Sequence, residues 1–200
     1  MRITHRIAIG LRVLAAATLA SGWLVSTASA APQAPFHSNA PGAPPEAARA
    51  IRICETIGST PPAARTARLE HAVRLAEASV ARHPEDARAQ FALFCALGRQ
   101  VEEHGASLRA AMQVRRVRRA VQKAIALEPT YVDALVAHGA LLGRLPWMLG
   151  GDTDRGEALI RRAIRLDPGF LPAYRELAAL LEADGRGDQA PILDVARATD

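Results

Sequence analysis

The chain has 200 residues, half of them hydrophobic, with 25 Lys and Arg against 20 Asp and Glu for a net charge of +5. That length holds one domain with a modest core, and so small a charge excess gives no basis for binding nucleic acid. Arginine supplies nearly all the positive charge, because Lys123 is the sole lysine. With the high alanine content, this usage looks like that of a GC-rich bacterial genome.

Residues 1–30 read as a cleavable export signal. Arg2, Arg6 and Arg12 precede an apolar run from Val13 to Val25, and Ala28-Ser29-Ala30 offers a small-residue cleavage site after Ala30. The run falls short of the roughly 20 residues a bilayer-spanning helix needs, and no second stretch is long enough. Export to the periplasm or the medium is therefore expected. Removing the three arginines leaves 22 basic against 20 acidic residues, a net charge near +2. Residues 31–48, "APQAPFHSNAPGAPPEAA", are rich in Pro and Ala and aperiodic, which predicts a disordered linker ahead of a folded domain at 49–200.

Cys54 and Cys95 leave two readings open. Bridged in an oxidising compartment, they would close a loop of about forty residues, a constraint of roughly 4 kcal/mol. Alternatively, Cys95 in "QFALFCALG" is a small side chain packed in a helix.

An internal repeat organises the rest. Aligning on Pro84, Pro129 and Pro168 places Ala89, Ala134 and Ala173 five residues later, and Leu97, Leu142 and Leu181 thirteen later. Ser79, Ala124 and Ala163 stand five before, with Val80, Ile125 and Ile164 four before. Apolar and small residues recur at helical spacing on both sides of each proline, so each unit is a helix pair turned at the proline. Asp154 and Glu157 have the spacing of a capping box, which predicts a helix start there.

These columns resemble the tetratricopeptide repeat over roughly residues 67–198. Six, nine, ten and thirteen after the proline, the last unit has Tyr174, Leu177, Ala178 and Leu181, and the middle one Leu135, His138, Gly139 and Leu142. The first has Gln90, Leu93, Phe94 and Leu97, and "EAARAIRICETI" at 46–57 fits a degenerate partner helix. The resemblance implies an all-α, right-handed superhelix of three to four helix pairs. The prolines stand 45 and 39 residues apart, against about 34 in the family. The surplus is expected in the connections "GRQVEEHGAS" and "RLPWMLGGDT" within a unit. The second insert, with its Leu-Pro and Gly-Gly-Asp, looks like exported bacterial members, among them the T-component of TRAP-type transporters. That likeness implies an accessory or scaffolding role without chemistry of its own.

No motif points to catalysis, a metal or a cofactor. The histidines beyond the leader (His37, His71, His83, His104 and His138) form no H-E-x-x-H pattern, and Glu102, Glu103 and His104 fan around a helix. His138 reads as a core or rim residue. No serine lies in G-x-S-x-G, and Gly150-Gly151 lacks the P-loop pattern. "VRRVRRAVQK" at 114–123 puts Arg115, Arg116, Arg118 and Arg119 on the solvated side of a helix, available to an acidic partner or anionic lipid.

The resemblance also implies that the first helix of each pair lines a concave face. The positions four, seven, eleven and fourteen after each proline would look into it. From them Arg88, Phe91, Asp133, Val136, Arg175 and Glu182 are the candidate partner-binding residues. The leading function is thus an interaction module for a protein or peptide of the cell envelope. The alternative is a transporter-associated protein that binds a small molecule. In "RLPWMLGGD", Pro146 ends one helix, Gly150-Gly151 allows the reversal, and Asp152 or Asp154 caps the next. Trp147, Met148 and Leu149 are expected to fold back over the seam between units. The other reading makes Trp147 and Met148 the lip of a pocket.

Overall fold

In a computed structural model, residues 42–105, 108–187 and 189 are described, with 108–111 as backbone alone. The expected export signal and most of the expected linker lie outside them. Seven α-helices make up the described chain: α1 (Pro45–Thr56), α2 (Pro62–Arg82), α3 (Ala87–His104), α4 (Leu108–Leu127), α5 (Val132–Arg144), α6 (Thr153–Leu166) and α7 (Leu171–Ala183). Single 3₁₀ turns occupy Ile57–Ser59 and Trp147–Leu149. None of the described helices is long and apolar enough to cross a membrane.

Helix α1 begins four residues before the domain boundary that composition predicts. Pro45 is the reason: a proline in the first turn loses no hydrogen bond and presets the helical φ, and Glu46 meets the positive end of the dipole. Ala47, Ala50, Ile51 and Cys54 then bury one face of α1 against α2 and α3. What reads as a degenerate partner helix is a full first member of the array.

The repeat columns are the contact lines of the helix pairs. Ala89, Ala134 and Ala173 are fully buried, as are Ser79, Ala124 and Ala163, and Leu97, Leu142 and Leu181 are buried with them. Small side chains at these crossings let neighbouring helix axes approach closely. Two further aromatics, Tyr131 and Phe170, sit two residues after Pro129 and Pro168, and both are buried. The ring of Tyr131 meets Phe91 edge-on at 5.2 Å, which joins α3 to the start of α5.

Each proline turn leaves a carbonyl needing a donor. Gln90 Nε2 donates to Pro84 O at 3.0 Å, and Tyr174 OH donates to Pro168 O at 3.0 Å, each from six residues on. Leu135 holds the equivalent place after Pro129 and has no donor. There Arg162 of α6 supplies one, Nη2 to Pro129 O at 2.9 Å. The polar or apolar choice at this column thus follows from where the turn's hydrogen bond comes from.

The two long spacings are absorbed differently. Most of "GRQVEEHGAS" is helix, because α3 runs on to His104 before Gly105 breaks it at φ 61°. Good helix formers there lengthen α3 to 18 residues and leave α4 with 20, against 13 and 14 in α5 and α6. "RLPWMLGGD" is a genuine connection, since Pro146 and two glycines prevent continuation. Asp152, not Asp154, caps α6 by accepting from the Arg155 N–H at 3.0 Å. The reversal makes Asp152 the last non-helical residue before α6, which leaves Asp154 inside the first turn.

The protein is an all-α helical repeat; the described residues form three helix pairs, α1/α2, α3/α4 and α5/α6, followed by α7. One core cluster joins α1 to α5 and a second joins α5 to α7.

Candidate functional site

The odd-numbered helices share a groove of about 640 Å³, open to solvent. Helix α3 contributes most, with Phe94, Cys95, Gly98, Arg99 and Glu102. Cys54 enters from α1, Val136, Ala137, Ala140 and Arg144 from α5, and Pro172 and Glu176 from α7. A second hollow of about 400 Å³ continues it along α5 and α7, sharing Ala140, Arg144 and Glu176 and adding Gly143, Ala179, Leu180 and Ala183.

The local sequence explains the shape. Gly98 has nothing within 4 Å of where a β-carbon would stand, so its absence leaves open space. Ala137, Ala140 and Ala179 keep the walls low. Phe94 fills the place that the resemblance gives to a small residue, and it stacks on Phe91 at 5.7 Å. Its ring therefore forms an aromatic flank of the groove in place of a helix crossing.

Charge is confined to the rim. Arg99 Nη1 meets Glu102 Oε2 at 2.9 Å, and Arg144 Nη2 meets Glu176 Oε2 at 2.6 Å. The two thiols are free and buried. Desolvation pushes Cys54 up to about 12, and it holds Cys95 well above the usual thiol range, where the neighbouring Cys54 opposes a second negative charge. Both stay protonated at neutral pH, so neither is an activated nucleophile. Among the described residues no group of three or more His, Cys, Asp or Glu side chains could hold a metal ion. An apolar floor with two ion pairs on its edge can bind a partly apolar ligand.

Of the six residues expected on the concave face, Val136 alone lines this groove. Phe91 and Asp133 are buried in the core, where no partner reaches them. Arg88 pairs with Glu128 at 2.8 Å and lies over the Tyr131 ring, and Arg175 and Glu182 are outside the groove's lining. The positions eleven and fourteen after the proline do line it, as Cys95, Gly98, Ala140, Gly143 and Ala179. At the positions four and seven after, Phe91 and Asp133 are buried and Arg88 is held by Glu128, while Val136 and Pro172 reach the groove. The rim arginines went unread, although Leu97-Gly98-Arg99 and Leu142-Gly143-Arg144 repeat one tripeptide at one register.

The Trp147–Leu149 turn corrects the expectation of a folded-back cover. Trp147 is 83% exposed and Met148 71%, and neither lines the groove or its extension. The backbone here is already satisfied internally: Gly151 N–H donates to Pro146 O and Asp152 N–H to Leu142 O, both at 3.0 Å. A β-carbon on Gly151 would stand 1.8 Å from the Leu145 carbonyl oxygen. So tight a reversal points the intervening side chains outward.

His138 is buried, as a core histidine should be, yet its Nε2 lacks a hydrogen-bond partner. Burial first, then the Arg155 and Arg118 guanidiniums, hold its pKa down at about 4.

No family model and no curated protein matches the chain. Solved structures do. One, "Crystal structure of MamA", is 19% identical over 76% of this chain and 75% of that one, with a TM-score of 0.44. Another, "Crystal structure of MamA protein", is also 19% identical, over 76% of this chain and 90% of that one, with a TM-score of 0.35. What the chain's own geometry establishes is a helical-repeat protein whose first helices build a groove with an apolar floor and a paired-charge rim.

Proposed function

We propose that the protein is an exported, non-catalytic interaction module whose groove binds an extended segment of another envelope protein. The observation that carries this reading is the groove itself, built from four helices with small residues on its floor and Arg99–Glu102 and Arg144–Glu176 on its rim. Its volume suits one or two apolar side chains of a peptide, and the ion pairs can exchange partners with the peptide's charged groups. The export signal at residues 1–30 is the basis for the envelope location. A photocrosslinking amino acid at position 98, in the groove, should give a discrete adduct in envelope extracts, and one at Arg165 on α6 should not. Ala140→Trp, which fills the groove, should abolish the adduct. Equal labelling from both positions, or an adduct that survives Ala140→Trp, would sink this reading.

A second reading, a transporter-associated protein that binds a small molecule, rests on the groove's apolar floor and the polar groups converging on its rim. Thermal stabilisation by a metabolite, lost in Ala140→Trp, would support it over the peptide.

A further inference from the structure

The outer side of the array, away from the groove, carries a different feature. Trp147 and Met148 stand exposed side by side on the 3₁₀ turn. The turn is rigidly framed, because Arg118 Nη1 of α4 also donates to Leu149 O at 3.2 Å. Gly150, at φ 84°, gives this guanidinium its room: a β-carbon there would lie 2.0 Å from Arg118 Nη1. Arg115 and Arg119 fall within the same ~100° arc of α4 as Arg118 at helical spacing. Both are exposed. Neither belongs to an ion pair among the described residues, whereas Arg116, on another arc, pairs with Glu77 of α2. Arg155, exposed in the first turn of α6, acts with Arg118 on the His138 ring and so lies in the same neighbourhood. Two carboxylates share it: Asp152, occupied by the Arg155 N–H, and Asp154. Arg115, Arg118, Arg119 and Arg155 outnumber them.

We propose that this turn and arginine arc dock the protein on an anionic bilayer, with Trp147 and Met148 entering the headgroup region and Arg115, Arg119 and Arg155 pairing with lipid phosphates. Tryptophan suits that depth, with an apolar ring and one polar N–H. Unpaired arginines add attraction to an anionic surface, falling off with salt. A bilayer accepts any projecting apolar tip, whereas a protein partner would need a pocket shaped to two adjacent side chains on a rigid turn. The small, convex form of the patch therefore favours lipid over an acidic protein.

The test uses the full chain carrying Trp23→Phe, which leaves Trp147 as its sole tryptophan. Its fluorescence reports on the turn, and binding through the apolar leader does not move it. Vesicles of phosphatidylcholine with phosphatidylglycerol should shift the emission to the blue, brominated lipids should quench it, and pure phosphatidylcholine should do neither. Arg115→Gln with Arg119→Gln should weaken the response about twenty-fivefold, at roughly fivefold per arginine, with an unchanged circular dichroism spectrum. Unchanged emission on anionic vesicles, even when the chain sediments with them, overturns the proposal. So does an equal shift on neutral vesicles, or full retention by the arginine variant. A shift with polyglutamate and none with vesicles overturns it in favour of an acidic protein surface.

Discussion

Two glycines in equivalent-looking helical settings should respond to the same substitution with opposite sign. Gly139 and Gly156 mark the crossing of α5 and α6. A β-carbon on Gly139 would stand 2.6 Å from the Gly156 carbonyl oxygen and 2.6 Å from Ile160 Cγ1, and one on Gly156 would stand 2.7 Å from the Gly139 carbonyl oxygen. Against an ordinary C···O approach of about 3.4 Å, Gly139→Ala must push the helices apart by roughly 0.8 Å. The obstacle is backbone, so the cost belongs at the upper end of overpacking, about 3 kcal/mol. Alanine returns about 1 kcal/mol through helix propensity, leaving a net loss of about 2 kcal/mol. Gly98 lies within α3 with open space around its Cα, and there Gly98→Ala keeps only the gain, about 0.5–1 kcal/mol. Urea unfolding followed by far-UV circular dichroism should separate the two variants by about 3 kcal/mol, or about 9 °C in Tm. If Gly139→Ala matches wild type or Gly98→Ala, the α5–α6 seam is not the close backbone contact described.

Three further outcomes are expected. Asp152→Ala should cost about 1 kcal/mol in stability through the lost cap, while Asp154→Ala should cost little; similar losses would return the cap to Asp154. For His138, the folded-state pKa of about 4 lies below the ordinary 6.5, so its contribution is complete above pH 6.5. It is lost as the unfolded chain takes up a proton between there and about pH 4, and it changes no further below. The loss is about 3 kcal/mol, and His138→Leu should remove that part of the pH dependence in chemical denaturation curves. Cys54 and Cys95 should resist a thiol reagent at pH 8 in the native protein and react at once in urea; fast native labelling of either would contradict their burial.

Much of the fold was legible because a helical repeat leaves a periodic record. The columns five before, five after and thirteen after each proline are the buried crossings, since close helix packing admits only small side chains at some positions and needs a filler at others. Elsewhere composition misled: Pro44 and Pro45 read as linker, although a proline costs nothing in a first turn. The groove was harder to read. Its direction came through at Cys95, Ala140 and Ala179, but Phe91 and Asp133 lie a fraction of a helical turn away and face the core.

By itself, then, the sequence determined the helix pairs, their prolines and the small residues at their seams, all of them consequences of local periodicity. Tertiary structure alone decided which flank of each first helix faces solvent, because that depends on the angle at which the next pair stacks. It also decided the fate of Trp147 and Met148. Hydrophobicity predicts that such side chains seek cover, but Gly151 against Leu145 and Arg118 against Leu149 complete the turn without them. The backbone's hydrogen bonds fix the turn, and its geometry sends the two side chains into solvent.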